Sequence, residues 1–165
     1  MPAGSTYTPI ATTTLGSAQS SYTFTSIPST YTDLILIFSG AASTSTSYVS
    51  LQYNSDTAAN YSVTLLRGTG TAASSNRYSG ITEIYASVSA TNTTEINNII
   101  FQIQNYSNTT TFKTSLSRAN NASVSTEAGV GLWRSTAAIN AIKVSSPTQN
   151  FATGSTFTLY GIASA

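Results

Sequence analysis

The sequence predicts an all-β protein, an antiparallel β-sandwich or jelly roll of about eight to ten strands. Three observations predict it. Short segments of alternating apolar and hydroxyl residues recur along the chain, separated by clusters of Gly, Ser, Thr and Asn. The vocabulary is Thr, Tyr, Ile and Val, which suits a pleated, half-buried surface. No stretch carries a convincing amphipathic helical stripe. With 165 residues the chain fits one domain, able to bury roughly 70% of its unfolded surface without metal or disulfide staples.

The elements follow in order. Tyr7 to Leu15 is a Thr-rich opening, and residues 1–9 read as a short N-terminal arm to a single domain spanning 1–165. Tyr22 to Thr25 alternates aromatic and hydroxyl, and Ile27 to Tyr31 turns the chain, Pro28 having no amide hydrogen for a central ladder. Asp33 to Phe38 is apolar at both parities and reads as a strand buried on two sides. Val49, Leu51 and Tyr53 share one face, as do Tyr61, Val63 and Leu65, then Ile84, Ala86 and Val88. Gly40 to Ser47, Asn54 to Asn60 and Gly68 to Asn76 read as loops.

Ile96 to Gln104 fits a helical stripe through Ile96, Ile99, Ile100 and Ile103, and equally a strand alternating Ile99, Phe101 and Ile103 against Gln102 and Gln104. The turn cluster Asn105 to Thr110, followed by period-two Phe112, Thr114 and Leu116, decides for a hairpin. Val130 to Arg134, Ala138 to Val144 and Ser155 to Ile162 complete the set. In the last, Phe157 and Leu159 face one way and Tyr160 and Ile162 the other.

Composition narrows the function. Charged residues make up 7% of the chain, with a net charge of +1, against about 25% charged in an ordinary soluble domain. That leaves no electrostatic footprint for a phosphate backbone and no basic amphipathic stretch, so neither nucleic acid nor membrane is expected as a partner. Roughly a third of the residues are Ser or Thr, yet 10% are aromatic and net charge is near zero, a profile of folded rather than disordered chain. Absence of His and Cys removes the commonest general base, the commonest metal ligand and all thiol chemistry. Met1 to Tyr7 lacks a charged n-region and an apolar h-region, and Leu34 to Phe38, the longest apolar run, is too short to cross a bilayer.

The five acids, Asp33, Asp56, Glu83, Glu95 and Glu127, are scattered. Asp33 reads as a strand-start cap and the others as solvated loop or edge charges, so no enzyme is expected. Asn54 to Asp56 lacks dense calcium-ligand spacing, and Gly68 to Gly70 opens no helix; no cofactor or metal is expected. Five N-x-S/T triplets, at Asn60, Asn92, Asn105, Asn108 and Asn121, match about four arising by chance in so hydroxyl-rich a chain. Tyr31, Tyr78 and Tyr106 sit at turns and are expected to be exposed, while Trp133 beside Arg134 is expected to pack. No catalytic, cofactor-binding or metal residues are assigned.

Trp133 to Val144, followed by Asn150 to Ile162 with its Phe151-x-x-Gly154-Ser155-x-x-x-Leu159-Tyr160-Gly161-Ile162 phrase, resembles the ending of many virion structural proteins of tailed phages, marine and cyanobacterial ones among them. Phe24 to Leu34 resembles their opening strand and turn. The resemblance implies a β-sandwich exposed on the virion and carries over no catalytic residues; the lack of a signal-peptide pattern and of a spanning run leads to the expectation of assembly in the host cytoplasm. The first expectation is a capsid decoration (cement) protein on the major capsid protein or other virion proteins, as a homo-oligomer with a trimer at a symmetric site. The alternative is a tail-fibre or tail-tip domain recognising host-surface glycan through Tyr, Asn and Trp, and a polysaccharide hydrolase ranks last.

Overall fold

A computed structural model describes residues 6–87, 93–121 and 123–163. It contains twelve strands: β1 (Tyr7–Thr14), β2 (Ser21–Phe24), β3 (Asp33–Gly40), β4 (Ser50–Tyr53), β5 (Tyr61–Gly68), β6 (Ala73–Ile81), β7 (Ile84–Tyr85), β8 (Asn97–Gln104), β9 (Lys113–Asn121), β10 (Ser125–Trp133), β11 (Ile142–Ser145) and β12 (Thr156–Ile162). They form an eight-stranded sheet, β1-β12-β3-β8-β9-β10-β5-β6, and a four-stranded sheet, β2-β11-β4-β7. Neighbouring strands pair antiparallel throughout.

The strand order is that of a jelly roll with two insertions. Set aside the β5–β6 and β9–β10 hairpins, and two four-stranded sheets remain, β1-β12-β3-β8 against β2-β11-β4-β7, with the chain crossing repeatedly between them. Both hairpins add to the same sheet, through the pairing of β5 with β10, and double its width. The strand count therefore exceeds the expected eight to ten, and the excess comes from these hairpins.

The core lies between the sheets. Leu34, Leu36 and Phe38 of β3, Ile99, Phe101 and Ile103 of β8, and Phe157 and Leu159 of β12 meet Phe24, Leu51, Tyr53, Ile142 and Val144 of the small sheet. Phe38, Phe151 and Phe157 pack at centroid distances of 5.0–5.2 Å, and Tyr22 stacks on Phe157 at 5.6 Å. Toward the widened half, Trp133 stacks on Tyr61 at 6.2 Å and meets Tyr53 edge-on at 5.6 Å, so Trp133 packs as expected.

Under the widened half the core takes a different form. The inward positions of β9 and β10 include Ser115, Ser117, Ala119, Gly129 and Gly131, all small. Segment 84–87 lies directly on them: a Cβ on Gly131 would come within 2.5 Å of an Ile84 methyl, and Ser117 Oγ donates to the Ala86 carbonyl at 3.4 Å. Lys113, Glu127 and Trp133 are the large inward residues of these strands, while the period-two run of Phe112, Thr114 and Leu116 faces outward, with Leu116 43% and Phe112 53% exposed.

Other expectations are corrected here. Gly68 to Asn76 is not a continuous loop, because β6 begins at Ala73. This edge strand is exposed along most of its length and has no apolar face to betray it. The expected arm at residues 1–9 is replaced from Tyr7 onward by an edge strand, with Tyr7, Thr8 and Pro9 opposite Ile162, Gly161 and Tyr160; residues 1–5 lie outside the described residues, as does Val88. Tyr106 is fully buried, its hydroxyl donating to the Pro28 carbonyl and accepting from the Tyr31 amide at 3.4 Å, while Tyr31 and Tyr78 are half-buried.

Two outcomes follow from this core. Gly131→Val improves strand propensity yet should lower unfolding free energy by about 1–3 kcal/mol in chemical denaturation, because Ile84 must give way. Burial raises the Tyr61 phenol to about 12 and Tyr53 higher still. Their unfolded counterparts ionise near 10, so the native state holds these protons longer, and the stability present below pH 10 is lost as pH climbs through the folded values. Lys113, whose amine is lowered by burial, acts oppositely up to about pH 10.5. Tyr53→Phe should therefore flatten the fall of stability above that pH in equilibrium denaturation.

Candidate functional site

The residues weighed for chemistry are mostly committed to structure. Burial alone would raise the Asp56 carboxyl, but hydrogen bonds from Asn60 and Trp133 Nε1 (2.9 and 2.7 Å) and from the Ala58 amide (2.9 Å) outweigh it and hold the group below the usual carboxylate range. Asn54 is spent on the backbone of residues 138, 140 and 141, so the Asn54–Asp56 loop is a brace under Trp133. Asp33 Oδ1 accepts from the Asn105 amide at 2.7 Å, consistent with a strand-start role. Glu95 accepts from Ser123 at 2.8 Å.

Glu127 departs from the expected solvated charge. It is 2% exposed, faces inward on β10 and meets Arg67 across the β10–β5 pair at 3.5 Å. The inward Ser, Gly and Asn residues around it had left no apolar rhythm to signal burial.

Two outer faces remain. On the eight-stranded sheet, one cross-strand row runs Tyr160, Ile35, Gln102, Leu116, Val130, Thr64, Arg77, and the next runs Thr158, Ile37, Ile100, Arg118, Ala128, Leu66, Ser75. Leu66 and Val130 are 61% and 52% exposed. Two adjoining grooves, of about 610 and 390 Å³, share Ile100 and Arg118. Arg77 donates to Thr64 Oγ1 at 3.1 Å, and Arg134 donates to Ser62 at 3.1 Å and Ser79 at 3.4 Å. With Arg118 they place three cations on this face; the outward positions of β8, β9, β10, β5 and β6 hold no acid, and Asp33 stands on the same face at the start of β3.

The small sheet presents the opposite chemistry. Its outer row reads Ser21, Ser145, Ser50, Tyr85, with Thr23, Lys143 and Gln52 alongside. Glu83 lies across the first row, Oε2 accepting from Ser50 Oγ at 2.8 Å and Ser145 Oγ at 3.3 Å. Tyr85 is packed edge-on by Tyr48 at 5.1 Å and by Tyr78 at 5.4 Å. Burial raises the Tyr48 and Tyr85 phenols, and the charge of Glu83 adds to it. The sequence reading took Glu83 as a solvated charge; its serine partners lie 33 and 62 residues away in the chain.

No family model matches the chain, and no curated protein does. Among solved structures it is similar to an exo-inulinase from Aspergillus awamori, with a TM-score of 0.50 and 14% identity over 94% of this chain and 29% of that one. An alginate lyase, Aly36B, aligns at a TM-score of 0.36 and 8% identity over 92% of this chain and 77% of that one. The chain thus spans less than a third of the inulinase, and that likeness shows a shared fold alone; the lyase is too distant to bear on either fold or function.

If the apolar residues of the large outer face serve docking rather than folding, Leu66→Thr, Leu116→Thr and Val130→Thr should each change stability by less than about 1 kcal/mol. Leu36→Ala, at a fully buried position, should cost about 2–5 kcal/mol in the same denaturation series.

Proposed function

We propose that this chain is a non-enzymatic structural protein of a tailed-phage virion, most simply a capsid decoration protein, seated by the outer face of its eight-stranded sheet. The observation that carries the reading is the patterning of β9 and β10, with Ser115, Ser117, Ala119, Gly129 and Gly131 inward and Leu116, Val130 and Leu132 outward beside Ile35, Ile37 and Ile100. Large apolar side chains held half-exposed over a broad surface are the mark of an interaction face. Eight strands of about eight residues present roughly 900 Å² at ordinary strand spacing, close to the ~800 Å² per partner of a stable interface.

Charge selects the partner. A second copy on the same face would bring Arg77, Arg118 and Arg134 toward their own equivalents, whereas a carboxylate-bearing virion subunit pairs with all three. Jelly rolls serve in viral capsids among other settings, and the resemblance of the Phe151 to Ile162 segment to phage virion proteins points the same way.

Quantitative mass spectrometry of purified virions should find this chain at a simple ratio to the major capsid protein. A few copies per particle would instead assign it to a tail appendage, and its absence would end the proposal. Arg118→Glu should weaken binding to stripped particles by at least about tenfold with the thermal midpoint unchanged; unaltered binding would remove this face from the account.

A further inference from the structure

On the far side of the sandwich, a pocket of about 250 Å³ is lined by Ser20, Ser21, Glu83, Lys143, Ser145 and Ser146. The Ser50 and Ser145 hydroxyls, 2.9 Å apart, fix the Glu83 carboxylate, and the hydrogen bonds described for it end on Oε2. Lys143 lines the same pocket, two residues before Ser145 on β11, yet forms no ion pair with Glu83. A fixed acceptor and a donor thus share one small concavity without neutralising each other. Outside the pocket's lining, on the far side of Ser50 in the same cross-strand row, stands Tyr85, half-buried and held edge-on between Tyr48 and Tyr78.

Ser50 and Ser145 lie on the side of the small sheet away from the apolar core and are buried, so the carboxylate closes over polar rather than apolar neighbours. The chemistry of this arrangement matches a ligand that donates and accepts at adjacent atoms and offers an apolar edge. A carboxylate accepts from hydroxyls, an ammonium donates to them, and a tyrosine ring takes the C–H face. An anionic ligand is opposed by Glu83 and a cationic one by Lys143, so the fitting class is a neutral, vicinally hydroxylated molecule. We propose that the pocket between Glu83 and Lys143, flanked past Ser50 by Tyr85, is a binding site for a neutral saccharide unit. The site binds without cleaving, because glycoside hydrolysis asks for two carboxylates flanking the bond and this pocket holds one. It lies on the face opposite the proposed docking surface, and it stands or falls separately from that reading.

The test is an NMR titration of isotope-labelled full chain with the methyl glycosides of glucose, galactose, mannose and N-acetylglucosamine, and with galacturonate as the acidic comparison. At least one neutral glycoside should shift the amides of Ser50, Tyr85, Lys143 and Ser145 and leave those of Leu116 and Val130 in place. Glu83→Gln and Tyr85→Ala should each weaken that binding by about tenfold or more. Lys143→Gln, at a half-exposed position that leaves the serine row intact, gives a third variant should either of the others misfold. Silence with all four neutral glycosides, shifts with galacturonate alone, or undiminished binding by folded variants would overturn the proposal.

Discussion

Segment 84–87 rests so closely on β9 and β10 that glycine and serine are the residues the space admits, and much of the architecture follows from that contact. Ile84 reaches the position a Cβ on Gly131 would take, and Ser117 bonds to the backbone of Ala86. The small sheet ends at β7, while the large sheet continues through β10, β5 and β6. Without a floor of small side chains, the last strand of the narrow sheet would ride above the widened one, and the Tyr53–Tyr61–Trp133 stack beside it would open to water. Side chains alternate across a strand, so small inward residues leave the outward positions as the place where β9 and β10 carry their bulk.

The same constraint makes the sandwich two-faced. One side presents half-exposed aliphatic residues with Arg77, Arg118 and Arg134; the other presents hydroxyls around a carboxylate and a tyrosine cluster. A chain with 7% charged residues has few charges to place, and those it has are sorted. Three cations share one face, where Asp33 at the start of β3 is the acid and is taken up by the Asn105 amide, Asp56 braces a loop, Glu127 is buried with Arg67, and Glu83 lies with Lys143 over the serines. Such sorting suits a molecule with one side turned to a partner and the other to solvent, as the proposed virion role requires.

Much of the jelly-roll half was legible in the sequence, because its strands are buried in the ordinary way. Ile99, Phe101 and Ile103, and Phe157 with Leu159, show the expected period and are buried, as are Leu34, Leu36 and Phe38; of the other parity of β3, read as buried too, Ile35 is buried and Ile37 only partly so. The strand reading of Ile96 to Gln104 held because Ile99 and Ile103 of the helical stripe also share an inward row with Phe101, and the Asn105 turn allows a hairpin. The inserted hairpins were less legible. Strand β6 has almost no apolar residues, and in β9 the period-two run through Leu116 points outward, a direction that period two alone does not give. Tyr106 sits in a turn, where exposure is the default, but its hydroxyl satisfies the Pro28 carbonyl across the chain. Neither the serine row nor Glu83 could be joined from sequence, since their contacts span 33, 62 and 95 residues.

The most direct test of the two-faced account is a cryo-EM map of the virion at side-chain resolution. The account predicts density from a neighbouring subunit against Ile37, Ile100, Leu116 and Arg118, with acidic side chains reaching the arginines, while Tyr85 and Glu83 face solvent. A map in which the large sheet's outer face is open to solvent and the serine-lined face is buried would contradict it.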